Sequence, residues 1–166
     1  TKAKPDGTLK HRLIWDMLRS QVNSRIRQGE HIVLPRLGDV VKDALDLLRA
    51  ARPGEHTVIF GTDVADAFHQ IPLHPQEWRF VCTSILGRFY VFKVVVFGAA
   101  SAPTTWGRFA AWLGRTTAAV TNPATLRLHI YVDDPLFVVR GTPDVIIQEV
   151  GIALLWTTLL GFPLAW

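Results

Sequence analysis

An α+β fold, a single domain whose antiparallel sheet is backed by helices, is the architecture that this 166-residue chain predicts. Three observations lead there. Leu126 to Val132 and Leu136 to Val139 are apolar runs separated by Asp133 and Asp134, the pattern of strand, tight turn, strand. Helix-period segments stand apart from the strand-like runs, and neither an internal repeat nor a linker interrupts the chain. With 49% hydrophobic and 19% charged residues, the composition excludes a disordered protein.

Each element has a local reason. Pro5-Asp-Gly7 is a turn signal between two basic arms in Lys2 to Lys10, which predicts a basic hairpin, and Arg12-Leu-Ile-Trp15 is strand-like. Leu18 to Val33 is polar and irregular. Gly38-Asp39 opens an amphipathic helix in which Val40, Val41, Ala44, Leu45, Leu47 and Leu48 recur at helical spacing, and Pro53-Gly54 ends it. Strands are expected near Thr57 to Thr62, Phe80 to Thr83 and Phe89 to Val95. Ser101-Ala-Pro103 starts a Trp- and Ala-rich helix running to about Ala118. After the acidic hairpin, Thr142 as N-cap and Pro143 at the first helical position open a last helix that ends near Gly161.

The apolar stretch Ile146 to Trp166 is broken by Gly161-Phe-Pro163, so it is expected as a buried helix feeding a strand, not a membrane span. The lone cysteine, Cys82, lies in a strand-like run and is expected as an inert core thiol. With no internal disulfide possible and no signal pattern at the start, the expected setting is intracellular, nuclear or cytoplasmic, and not secreted. The missing initiator Met suggests a fragment.

Charge is uneven. Residues 1–52 carry net +5 and residues 53–166 net −1, within a total of +4. A basic segment facing an acidic centre suits a polyanion bridged by metal, such as nucleic acid or a nucleoside triphosphate.

Adjacent aspartates at a turn are often only solvated. What displaces that reading is Asp63, at the end of another strand-like run seventy positions earlier. A hard divalent cation takes carboxylate oxygens from more than one segment. If Asp63 ends a strand beside the hairpin tipped by Asp133 and Asp134, the three carboxylates can hold two Mg²⁺ ions about 4 Å apart, with Mn²⁺ as a possible substitute. Such a pair suits phosphoryl transfer: one ion activates a hydroxyl and the other neutralises the leaving pyrophosphate.

Several segments, in order, resemble the fingers and palm of a reverse transcriptase, the RNA-directed DNA polymerase of retroelements such as retrotransposons. Lys4-Pro-Asp-Gly-Thr-Leu-Lys-His-Arg12 through Asp16 resembles the fingers hairpin, and Leu34-Pro-Arg36 the next fingers segment. Asp63 to Pro75 is similar to the first catalytic motif, Phe97-Gly-Ala-Ala-Ser-Ala-Pro103 to the substrate- and template-contacting motif, Tyr131-Val-Asp-Asp134 to the metal-binding box, and Leu160-Gly-Phe162 to the start of the following palm motif.

The resemblance implies a fingers-like basic segment over 1–56 and a palm-like catalytic segment over 57–166. It implies Asp63, Asp133 and Asp134 as catalytic metal ligands, helped by the Val64 carbonyl. Asp66 and Ala67 would offer amides to the triphosphate, as a tight turn can. Phe68 would sense the sugar and exclude a 2′-hydroxyl. Arg12 and Lys4 would grip the triphosphate, Arg by a two-bond fork and Lys as a point charge. Phe97 and Gly98 would lie under base and template, with Ser101 and Pro103 on the template side. His69 and Gln70 are read as structural or template-side. The implied partners are a primed RNA or DNA template and deoxynucleoside triphosphates, with no membrane. Oligomeric state is not read.

Two features depart from that family. Pro135 stands where an aliphatic residue is usual and predicts an irregular hairpin, since proline lacks a backbone donor. The chain also closes at Phe162-Pro-Leu-Ala-Trp166, before the thumb, so it is expected to bind metal and nucleotide without gripping a duplex. Two other readings stay open: a decayed element-derived domain that binds nucleic acid through its basic third, and a palm with nucleotide-cyclase chemistry.

Overall fold

The structure, a computed structural model, describes residues 2–3, 7, 9–10 and 14–165. In chain order its elements are β1 (Lys2–Ala3), β2 (Leu9–Lys10), α1 (Val22–Arg25), α2 (Leu37–Arg49), β3 (His56–Gly61), β4 (Asp63–Val64), β5 (Cys82–Ile85), β6 (Arg88–Val91), α3 (Ala102–Val120), β7 (Leu126–Tyr131), β8 (Asp134–Gly141), α4 (Pro143–Leu159) and β9 (Leu164–Ala165). Two 3₁₀ turns, Ala67–Gln70 and Pro75–Phe80, have no counterpart in the sequence reading. The fold is mixed helix and antiparallel sheet, the α+β class expected. The chain divides into two compact units, residues 1–30 with 68–103 and residues 31–67 with 104–166.

In the first unit β1 pairs antiparallel with β2, so the hairpin read around Pro5-Asp-Gly7 is present in its arms. The strands expected at Phe80 to Thr83 and Phe89 to Val95 form a ribbon shifted from those bounds, running from Cys82↔Val91 to Ile85↔Arg88. Leu86 and Gly87 close it with φ of 51° and 74°, the two positive values that a type I′ turn demands. Cys82 is exposed on this ribbon, and its thiol donates to the Arg79 carbonyl at 3.4 Å. The expectation of a core thiol is therefore corrected: among the described residues no further layer packs over Cys82 on this two-stranded ribbon. The unit's core is Met17, Val81 and Val96, packed with Trp15, Leu73 and Phe92.

The second unit is built on a three-stranded antiparallel sheet in the order β3-β8-β7. Side chains alternate across a strand, and central β8 has both faces covered. Phe137 and Val139 pack with Leu126 and with Ala153 of α4, whereas Val138 packs with Val40 and Leu47 of α2. That double burial explains the near-continuous apolar run of β8.

Helix α2 begins at Leu37, because the Asp39 carboxylate reaches back to accept the Arg36 N–H at 2.7 Å. Asp43 ties the same helix to β7, meeting Arg127 at 3.2 Å and His129 at 3.0 Å. Helix α4 starts after Thr142 as read, although the Thr142 side chain makes no capping bond. Ala153 and Thr157 are buried, while Ile147, Leu155 and Leu159 face solvent, so the helix is only partly the buried one expected. Among the described residues no helix is long and apolar enough to cross a membrane.

Candidate active site

The β7–β8 hairpin presents the acid pair. Its last rung is Tyr131↔Asp134, which leaves Val132 and Asp133 as a two-residue turn. Of these two only Val132 has a positive φ, 57°, the sign pattern of a type II′ turn, where glycine is usual. A β-branched residue in this region stores about 1–3 kcal/mol of strain.

Beside this tip runs the short strand that carries Asp63. The Val64 amide donates to the Asp133 carbonyl at 2.8 Å. On its other edge β4 pairs with β9 as Asp63↔Ala165 and Val64↔Leu164, and the Ala65 amide donates to the Pro163 carbonyl at 2.9 Å. Since N–H and C=O of one extended residue share an edge, the Val64 carbonyl lies on the hairpin side. The Val64 side chain is buried, while Asp63 and Asp134 are exposed and Asp133 half-buried.

The acids feel one another. Partial desolvation, then the charges of Asp133 and Asp63, push the Asp134 carboxyl above its ordinary pKa of 3.8. Among the described residues no three His, Cys, Asp or Glu side chains form a ready metal cage. The donor chemistry nonetheless suits a hard divalent cation: all four groups are oxygen donors, and the mutual repulsion of the carboxylates is what such an ion relieves.

Pro135 does not disturb the hairpin in the way expected, because Ile130↔Pro135 and Tyr131↔Asp134 continue the register to the turn. Its carbonyl accepts the Thr62 amide at 2.9 Å, on the β3 side. The missing N–H falls on that same side, so the β3–β8 ladder stops at Gly61↔Leu136.

Asp66 has φ of 50°, a turn in the left-handed region, and buried Ala67 follows it into the 3₁₀ turn. Phe68, Phe97, Gly98, Ser101 and Pro103 belong to the first unit. There the Phe68 ring lies 5.1 Å from that of Phe97 at 59°, and His69 meets Phe97 edge-on at 5.1 Å. Gly98 has φ of 104°, and a Cβ on it would lie 1.9 Å from the Trp15 carbonyl oxygen, so only glycine fits. Lys4 and Arg12 lie outside the described residues.

Two residues that the sequence reading did not single out hold these motifs. Asn23 donates to the Gly98 carbonyl at 2.8 Å and accepts the Ala100 amide at 2.9 Å, clamping the Phe97–Ser101 loop with one side chain. Trp106, 1% exposed, donates its indole N–H to the Val132 carbonyl at 2.6 Å. Asn23 sits in a polar stretch with no pattern to mark it. Trp106, Ala110, Leu113 and Thr117 do form a buried stripe at helical spacing, the one signal that could have been followed.

No individual curated protein gives a significant match to the chain. The family model described as reverse transcriptase (RNA-dependent DNA polymerase) matches residues 4–165. With nearly the whole sequence matched, and with a strand-end aspartate hydrogen-bonded through its neighbour to an Asp-Asp hairpin, this chain belongs to the reverse transcriptase family.

Proposed function

We propose that the chain carries the nucleotidyl-transfer centre of an RNA-directed DNA polymerase, adding deoxynucleotides to a primer 3′-hydroxyl on an RNA or DNA template with release of pyrophosphate. The observation that carries this reading is the 2.8 Å bond between Val64 and Asp133, which brings two acidic segments seventy residues apart into one site. Asp63, Asp133, Asp134 and the Val64 carbonyl would hold two Mg²⁺ ions, or Mn²⁺. When bound, such ions lower the pKa of an attacking hydroxyl and offset charge on the leaving phosphates.

The chain's own groups do the positioning. The palm-like segment over 57–166 carries the acids, and its turn at Asp66 and Ala67 offers amides to the triphosphate. Lys4 and Arg12 of the basic, fingers-like segment over 1–56 grip the same phosphates. Phe68, its ring against Phe97, limits the sugar to one without a 2′-hydroxyl, while Phe97 and Gly98 support base and template beside Ser101 and Pro103. The parent element is a retroelement.

Primer extension on an oligo-dT-primed poly-rA template with Mg²⁺, by the longest available polypeptide that contains this chain, tests the reading. Extension that Asp133→Asn abolishes is the expected result, and extension unchanged by that substitution would remove the metal assignment. Phe68→Ala is expected to admit ribonucleotides, and unchanged sugar discrimination would remove its role.

A further inference from the structure

The Val132 carbonyl is the midpoint of the acid-bearing turn, and one side chain from another element reaches it. We propose that Trp106 is a positioning residue, whose indole N–H holds the strained Val132 turn in the form that presents Asp133 and Asp134; the catalytic part of this inference rests on the polymerase reading above.

Three observations support it. Val132 holds a φ of 57°, a region β-branched residues avoid, so the turn needs an outside contact to stay there. The Trp106 N–H donates to the Val132 carbonyl at 2.6 Å from a site 1% exposed, where water cannot replace the bond. Trp106 is in turn fixed edge-on against Phe162 at 6.0 Å, and Phe162 directly precedes Pro163, whose carbonyl accepts the Ala65 amide. Trp106 therefore touches the acid turn on one side and, on the other, the segment paired with the strand of Asp63. A mere core aromatic needs no N–H at this point, and phenylalanine would fill much of the same space.

The test separates the donor from the ring. Trp106→Phe keeps an aromatic against Phe162 and loses the N–H, and replacing Trp106 by benzothienylalanine exchanges the N–H for sulfur at almost constant shape. Val132→Asn supplies a residue that tolerates a positive φ, so the turn no longer depends on the clamp. Expected are a fall of about tenfold in kcat for primer extension with KM for the deoxynucleotide little changed, and recovery of most of that loss when Val132→Asn is added. Amide hydrogen exchange at Asp134 should accelerate in the donor-less variants and slow again with Val132→Asn, while Leu128 stays unchanged.

Wild-type exchange at Asp134 in either donor-less protein would overturn the proposal. So would an equal kcat loss with and without Val132→Asn, which marks core packing. Should Trp106→Phe fail to fold, the benzothienylalanine protein decides. If the longest wild-type polypeptide that contains this chain extends no primer, the polymerase reading falls, and the exchange experiment still judges the clamp.

Discussion

The Thr62 amide donates to the Pro135 carbonyl at 2.9 Å, and Pro135 has no N–H to return. An antiparallel pair normally exchanges two bonds, so the rung one residue before Asp63 is held by a single bond, and the next bond on that edge is Val64 N–H to the Asp133 carbonyl. On its other edge the same segment, as β4, pairs with β9. Pro135→Val should restore the second bond. The amide that this substitution introduces is expected to resist hydrogen exchange as strongly as its β8 neighbours, and free exchange there would contradict the pairing.

Asp134 gives a pH-dependent prediction with a definite sign. Its carboxyl is raised by desolvation first and then by the charges of Asp133 and Asp63, so the folded chain holds the proton more tightly than the unfolded chain does. Its contribution to stability is full below the ordinary value of 3.8 and is lost as pH rises through the folded pKa. Asp134→Asn should therefore melt above the wild type at pH 7, with the gap closing as pH falls below that value. Paired melting curves from pH 3 to pH 8 check this.

Gly98→Ala should be severe. The new Cβ meets the Trp15 carbonyl carbon and oxygen, both backbone atoms, and alanine disfavours the φ of 104° besides. A loss of about 3 kcal/mol or more is expected in urea unfolding followed by tryptophan fluorescence.

Asp43→Ala should cost about 1–3 kcal/mol, since it leaves His129 half-buried without its partner and frees Arg127 from α2. Arg127→Ala should cost less, because that side chain is 39% exposed and water replaces part of its ion pair. Equal losses for the two would show that His129 does not need the carboxylate.

Thr117 is fully buried, and its hydroxyl has no partner. Thr117→Val keeps the shape and removes the orphaned group, so a gain of about 1 kcal/mol is expected in thermal or urea unfolding.

What the sequence made legible followed from local rules. The α2 stripe, Pro143 at the start of α4, and the apolar flanks of Asp133-Asp134 each encode their element in neighbouring residues. The ribbon of β5 and β6 was misplaced because Phe80, a strand-former by composition, is spent on a 3₁₀ turn that begins at Pro75. Cys82 has apolar neighbours that suggest a core, yet among the described residues no layer buries it on its ribbon. Pro135 was rightly marked as a lost donor, but only the order β3-β8-β7 decides which neighbour loses the bond. Asn23 and Trp106 act on residues 75 and 26 positions away, and no local pattern records a contact of that kind.

Strand β8 begins at Asp134 and is covered on one face by α2 and on the other by α4. A strand held in that way cannot swing out without dismantling both helical layers. Opening of the Phe137–Val139 stretch is thereby tied to global unfolding, and heat should remove that stretch and the fold in one transition. The acid pair lies beyond that double cover, at the tip of the hairpin where Asp134 is exposed, so its mobility is set by the turn and not by the helical layers.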